Sequence, residues 1–155
     1  LIIFILLWIP VAIQAQERTD VLEKQLEIIK TSPDNQEALL FVCEHYLKQG
    51  DYSKTVTYAE FLKNQKSARK NPSVLFNAHL YLGKAQMMSG REKAARKNLD
   101  AALGLATQLK NDSLLCTLYG ALGEYAANID ADFYQAIQWI YKGIELAQRN
   151  RHKQQ

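Results

Sequence analysis

The stretch SVLFNAHLYLGKAQMMSGREKAARKNLDAAL, residues 73–103, holds the pattern on which the rest of the chain is built. At its centre the large apolar residue Leu82 precedes the small residue Gly83, and a turn signal follows at Gly90. A large residue followed by a small one recurs 40 residues to either side, at Val42-Cys43 and Leu122-Gly123. This period indicates an array of repeats in which each unit buries its apolar face against its neighbours.

Each repeat is expected to hold two helices, because apolar residues recur at helical spacing on both sides of its turn. We predict a leading helix and then three helix pairs, over about 20–30, 35–49, 53–68, 73–89, 91–110, 113–127 and 132–149. The last turn is expected to be one residue longer, since Ala136 follows Ala95 by 41 residues. The fold class predicted for residues 16–155 is all-α: an antiparallel helix-pair solenoid of about three repeats with a leading cap helix.

The first fifteen residues, LIIFILLWIPVAIQA, carry no charge and differ sharply from the polar sequence after them. They resemble the apolar core and cleavage site of a signal peptide, which predicts cleavage after Ala15 and export to the periplasm. The run is interrupted by Pro10 and is shorter than the roughly 20 apolar residues of a membrane span. An uncleaved membrane anchor and a buried core helix are the alternatives. The start at Leu1 and the absence of a stop signal near Gln155 predict further residues at both ends.

Composition and charge do not indicate a nucleic-acid-binding protein. The chain has 155 residues, 48% hydrophobic content and a net charge of +3, which is ordinary for one globular domain and too weakly basic to indicate nucleic acid. The basic runs 63–70 and 91–97 lie on second helices, where a solvated outer face explains them. Cys43 and Cys116 lie on different helices and are expected to be small buried residues rather than a disulfide.

Candidate catalytic residues are few. The sequence has no HExxH, CxxC, GxSxG or phosphate-binding glycine loop. His79 falls on the packing face of its helix and is predicted to be a partly buried core residue. Asn128, Asp130 and Asp132 form an oxygen-rich turn, but it lacks the glycine and bidentate Glu of a calcium loop, so a helix cap is expected. We therefore predict no enzyme, no cofactor and no metal.

The faces of the three first helices that lie on the concave side of the array are predicted to line a partner-binding groove. Tyr81 and Phe41 are expected to form its apolar floor, flanked by the opposite charges of Glu44 and Lys84. Such mixed surfaces bind extended peptides or helices; the alternative is a wet groove that only keeps the protein soluble. The predicted groove residues are Glu37, Phe41, Glu44, Lys48, Asn77, Tyr81, Lys84, Met88, Thr117, Glu124 and Asn128.

The repeat pattern resembles that of the tetratricopeptide family. The motifs that carry the resemblance are Leu82-Gly83 with Gly90 and Ala95, Val42-Cys43 with Tyr46 and Gly50-Asp51-Tyr52, and Leu122-Gly123 with Ala136-Ile137. The chain departs from the family where Gln86 and Ala126 replace an aromatic residue and Thr55 replaces an alanine. Its period of 40 exceeds the usual ~34 residues and falls in the range of HEAT and armadillo repeats.

The resemblance implies a protein-protein interaction scaffold whose partner is a protein or peptide. Its likeness to exported bacterial members of the family implies the extracytoplasmic sensory segment of a larger signalling protein. A membrane span and a histidine kinase or DNA-binding regulator would then follow. The alternative is a free-standing periplasmic adaptor or chaperone-like scaffold.

Overall fold

A computed structural model describes the backbone of residues 20–153 and the side chains of residues 20–151. The predicted signal peptide, residues 1–15, lies outside this part. Residues 20–153 contain helices and turns and no strand, so the all-α prediction is confirmed. None of the helices described is both long and apolar enough to cross a membrane. The helices are α1 (20–31), α2 (Gln36–Lys48), α3 (Tyr52–Asn64), α4 (Lys66–Arg69), α5 (Pro72–Met88), α6 (Glu92–Gln108), α7 (Asp112–Asn128) and α8 (Phe133–Lys153).

Adjacent helices form three packed pairs, α2 with α3, α5 with α6, and α7 with α8. In the last pair Cys116 contacts Gly143 near one end and Gly123 approaches Ala136 near the other, so these two helices run in opposite directions. Neighbouring pairs also touch, through α3 with α5 and through α6 with α7. The last turn spans 129–132, one residue more than the turns 49–51 and 89–91, as the sequence spacing predicts.

Short-range signals define where the helices begin and end. Asn35, Asn71 and Asn111 precede α2, α5 and α7, and each side-chain oxygen accepts a backbone N–H from the first turn. Gly50 and Gly90 follow α2 and α5 with φ of +76° and +71°. A glycine adopts this left-handed conformation without a steric penalty, which ends the helix and turns the chain back.

The single helix predicted over 53–68 is wrong at its C-terminal end. The backbone of Gln65 is extended, with ψ of 136°, and it separates α3 from the short helix α4. The change of direction places Ala68 in a fully buried position, in one apolar cluster with Leu39 and Leu62. Packing against α2 and α5 therefore overrides the helical propensity of this segment.

The middle pair is tightly packed where Gly83 meets α6. A Cβ atom at Gly83 would lie 2.7 Å from the Leu99 Cδ2 atom, closer than two carbon atoms normally approach. The absence of a side chain at Gly83 therefore permits a close contact between α5 and α6. In the last pair a Cβ atom at Gly123 would lie 3.2 Å from Ile140 Cγ1, so the same register is used with more space.

Beside this contact, the middle pair is joined by a chain of polar side chains. His79 Nδ1 donates to Asn98 Oδ1 over 2.8 Å, and Asn98 Nδ2 donates to Gln86 Oε1 over 2.8 Å. His79 is half-buried, as predicted, and burial lowers the pKa of its imidazole below the usual range. These bonds satisfy polar groups at positions where water is largely excluded.

The two cysteines are free. Cys43 is fully buried, and burial raises the pKa of its thiol to about 12. Cys116 is half-buried and its thiol donates to the Gly143 carbonyl over 2.9 Å. Both thus serve as small packing residues. The buried Cys43 thiol stays protonated and is not a nucleophile, and the Cys116 thiol is hydrogen-bonded to a backbone carbonyl.

Candidate partner-binding cleft

A cleft of about 480 Å³ opens across the three first helices α2, α5 and α7. Most of the predicted groove residues line it: Glu44, Lys48, Asn77, Tyr81, Lys84, Met88, Thr117 and Glu124. The structure adds four residues that sequence reasoning missed: Leu47, Tyr52, Leu80 and Met87. We call this set of twelve residues the cleft.

The 40-residue period explains why residues distant in sequence meet here. Glu44, Lys84 and Glu124 occupy the same register in α2, α5 and α7, and so do Asn77 and Thr117 in α5 and α7. Because the first helices lie side by side, equivalent positions form rows across the stack. The row at 44, 84 and 124 alternates in charge, with one lysine between two glutamates.

The lysine in this row is held by an ion pair. Lys84 Nζ lies 3.3 Å from Glu124 Oε2 on the next first helix, whereas Glu44 pairs with Lys48 on its own helix over 2.6 Å. Both pairs are partly exposed, and ion pairs of this kind contribute little to stability. Glu44 and Lys84 both line the cleft, as predicted, but each is paired with another residue, so the rim presents neutralised charges.

The floor of the cleft is apolar. Leu80 and Met87 are buried, Tyr81 is half-buried, and Met88 is exposed at the edge. Burial, and next to it the negative charge of Glu44, raise the pKa of the Tyr81 phenol well above its usual range. Tyr81 is therefore neutral at physiological pH and offers a ring for contact and a hydroxyl for hydrogen bonding.

Phe41 is placed differently from the prediction. It lies in a second, smaller hollow of about 280 Å³, lined by residues of α2 and its end, and its ring stacks on His45 with centroids 6.1 Å apart. Tyr52, at the start of α3, supplies the second aromatic ring of the cleft. Glu37 and Asn128 are exposed and lie outside the cleft. Ala121, which occupies the same register as Phe41 and Tyr81, is buried in the core.

Two of the missed residues, Leu80 and Met87, carry a sequence signal together with the predicted residue Lys84. Leu80, Lys84 and Met87 follow one another at intervals of four and three, which places them on one face of α5. Leu47 lies beside Lys48 in the last turn of α2. Tyr52 has no such signal, since its place in the cleft depends on how α3 turns back beside α2.

The predicted oxygen-rich turn serves as a helix cap. Asp132 Oδ1 accepts the backbone N–H of Gln135 over 2.8 Å, which caps the start of α8, and Asp130 lies 3.8 Å from Arg96. Within the described part of the chain, no three His, Cys, Asp or Glu side chains are grouped to hold a metal ion. That the protein is not an enzyme and uses no cofactor stays a prediction.

The fold and the cleft together define an all-helical protein built of packed helix pairs with an open, mostly apolar groove across them. No known protein family matches the chain, and searches of curated proteins and of solved structures find no match either. The resemblance to tetratricopeptide repeats therefore rests on the residues and their spacing.

Proposed function

We propose that this chain is a non-catalytic protein-interaction module of the tetratricopeptide type and that its cleft binds a peptide segment of a partner. The observation that carries the proposal is the assembly of the cleft from equivalent positions of three helices. A binding surface built in this way is continuous over several repeats, which suits an elongated ligand.

The chemistry of the cleft supports a ligand with an apolar anchor. Tyr81, Leu80 and Met87 offer a desolvated floor, while Asn77 and Thr117 offer polar groups beside it. The carboxylates and amines at the rim are already paired, so a strongly charged peptide gains little there. Binding energy is expected to come mainly from one or two apolar side chains that fill the space against Tyr81.

The register of the helix pairs supports the assignment to the tetratricopeptide type. Gly83 and Gly123 lie where that pattern has its small residue, and each meets the second helix of its pair closely. Buried Gln86 departs from the pattern, but its hydrogen bond to Asn98 fills the place of an aromatic contact. The equivalent residues of the first pair, Tyr46 and Tyr58, stack there with centroids 5.8 Å apart.

As for biological context, we propose the extracytoplasmic sensory segment of a larger bacterial signalling protein, and a free-standing periplasmic adaptor as the second candidate. The apolar run 1–15 favours export in both cases. The reading frame beyond Gln155 distinguishes them: a membrane span followed by a kinase or DNA-binding domain supports the first, and a stop codon supports the second.

The cleft is tested by selecting binders to the full chain from a displayed library of random peptides. We expect Tyr81→Ala to weaken the selected peptides by about 2 kcal/mol or more, roughly 30-fold in Kd, while far-UV circular dichroism stays unchanged. The matched control is Lys93→Ala/Lys97→Ala, which changes exposed residues of α6 away from the cleft. Loss of binding in the lysine variant with full binding in Tyr81→Ala would contradict the proposal.

A further inference from the structure

The last helix, α8, exposes a stripe of large apolar side chains. Phe133, Ile137, Ile140 and Ile144 follow one another at intervals of four, three and four residues. Tyr134 and Tyr141, seven residues apart, flank them, and all six side chains are between 47% and 75% exposed. Intervals of this kind are those of a helix that pairs along its length with another helix.

Part of this stripe corresponds to a surface that is covered elsewhere in the molecule. Ile140 faces Gly123 as Leu99 faces Gly83, so the two residues occupy the same register. Leu99 is fully buried because α7 packs on α6, whereas among the described helices α8 packs extensively only against α7. A helix stacked on α8 in the same manner would cover Ile140.

A helix stacked on α8 in this way would not explain the two exposed tyrosines. In the same register, Tyr134 and Tyr141 correspond to polar residues in both earlier pairs: Ser53 and Glu60 in α3, Lys93 and Asp100 in α6. Lys93 and Asp100 stay exposed although α7 covers their helix. A repeat added in the usual way would therefore leave the two tyrosines in water, so it does not account for the whole apolar surface of α8.

The charges at the two ends of α8 indicate which partner fits. Asp130 and Asp132 lie at its start, and Arg149 and Arg151 lie near its end. Asp130 and Arg149 also make long, partly exposed ion pairs within the chain, with Arg96 over 3.8 Å and with Asp112 over 3.7 Å. Two antiparallel copies of this helix place the acidic start of each beside the basic end of the other, and two-fold symmetry repeats the contact. Antiparallel packing also aligns the helix dipoles favourably, whereas parallel copies would bring like charges together.

We propose that α8 is a dimerisation helix, which pairs antiparallel with α8 of a second copy through Phe133, Ile137, Ile140, Tyr141 and Ile144. The pairing buries the exposed stripe and matches the charges at both ends. It is independent of the proposed function, because no residue of α8 lines the cleft. A dimer thus carries two open clefts, and a partner with two copies of the recognised segment would bind with increased avidity.

The first test measures the mass of the full chain in solution by sedimentation equilibrium at micromolar concentration. We expect a dimer for the wild type and a monomer for Ile137→Asp and for Tyr141→Asp, each with unchanged circular dichroism. Phe61→Asp is the matched control, because Phe61 is an exposed aromatic residue on α3, and it should stay dimeric. A monomeric wild type, or dimers in all variants, would overturn the proposal.

The second test addresses the antiparallel orientation by charge reversal. Asp130→Lys and Arg151→Glu should each raise the dimer Kd about tenfold, because each brings like charges together at both ends of its homodimer. An equimolar mixture of the two variants should form a heterodimer with nearly the wild-type Kd, since opposite charges then meet again at both ends. If the mixture associates no better than the separate variants, the antiparallel arrangement is wrong.

Discussion

The middle helix pair, α5 with α6, and the last pair, α7 with α8, share a register but differ in how their equivalent residues are surrounded. Leu99, opposite Gly83, is fully buried, whereas Ile140, opposite Gly123, is 49% exposed. The two side chains are similar in size and hydrophobicity. Their burial differs because α6 lies between α5 and α7, while α8 packs extensively against α7 only among the described helices. In such an array, the burial of a side chain therefore depends on whether its helix is covered by neighbouring helices on both sides or on one side only.

The two helix pairs also differ in the kind of side chains that meet at one equivalent contact between their first and second helices. His79 and Asn98 form a hydrogen bond of 2.8 Å in the middle pair, and their counterparts Tyr119 and Trp139 stack with ring centroids 5.4 Å apart. A polar pair is tolerated here because His79 Nδ1 and both polar atoms of the Asn98 amide are hydrogen-bonded. The stacked rings need no such match and bury more apolar surface.

The largest expected effect is on the buried leucine of the middle pair. Leu99→Ala should lower the free energy of unfolding by about 2–5 kcal/mol, because it leaves a cavity lined on all sides. Ile140→Ala should cost only about 1 kcal/mol, since about half of that side chain is already in contact with water. Urea denaturation of dilute protein measures both values, because association through α8 does not contribute at low concentration. Equal losses would show that the two pairs are covered to the same extent.

A smaller difference is expected at the two glycines. Gly83→Ala should destabilise the protein by about 1–3 kcal/mol, because the new methyl group meets the confined side chain of Leu99. Gly123→Ala should be neutral or stabilising by up to about 1 kcal/mol, because alanine favours the helix and the half-exposed Ile140 has space to move. Thermal unfolding of the two variants decides the point. Destabilisation by Gly123→Ala as large as that by Gly83→Ala would contradict the looser packing of the last pair.

The smallest effect is a pH dependence that belongs to the middle pair. Burial lowers the pKa of His79 in the folded protein, so the unfolded chain takes up a proton first as the pH falls below the ordinary histidine pKa of about 6.5. This contribution to stability is present above that pH and is lost on acidification. The urea midpoint of the wild type should therefore fall more between about pH 7.5 and pH 5 than that of His79→Gln. Parallel curves for the two proteins would exclude a role for His79.

The sequence predicts much of the cleft, because residues 40 positions apart lie close together in space when successive helix pairs stack. Tyr81 and Lys84 were expected on the groove face from helical spacing alone, and Glu124 from its place 40 residues after Lys84. Phe41 was expected beside Tyr81 by the same argument, yet it stacks on His45 in another hollow. The repeat period predicts on which face of a helix a residue lies. It does not predict the side-chain conformation, which depends on the neighbouring residues.

The sequence by itself determined the local features: helix pairs with a 40-residue period, the turn at Gly90 and the longer last turn. These depend on interactions within a few residues or on a repeated pattern. Only the tertiary structure decided the break at Gln65, the pairing of Lys84 with Glu124 and the exposure of Ile140. Each depends on which helix lies alongside and how closely, because packing, charge pairing and burial are properties of neighbours in space.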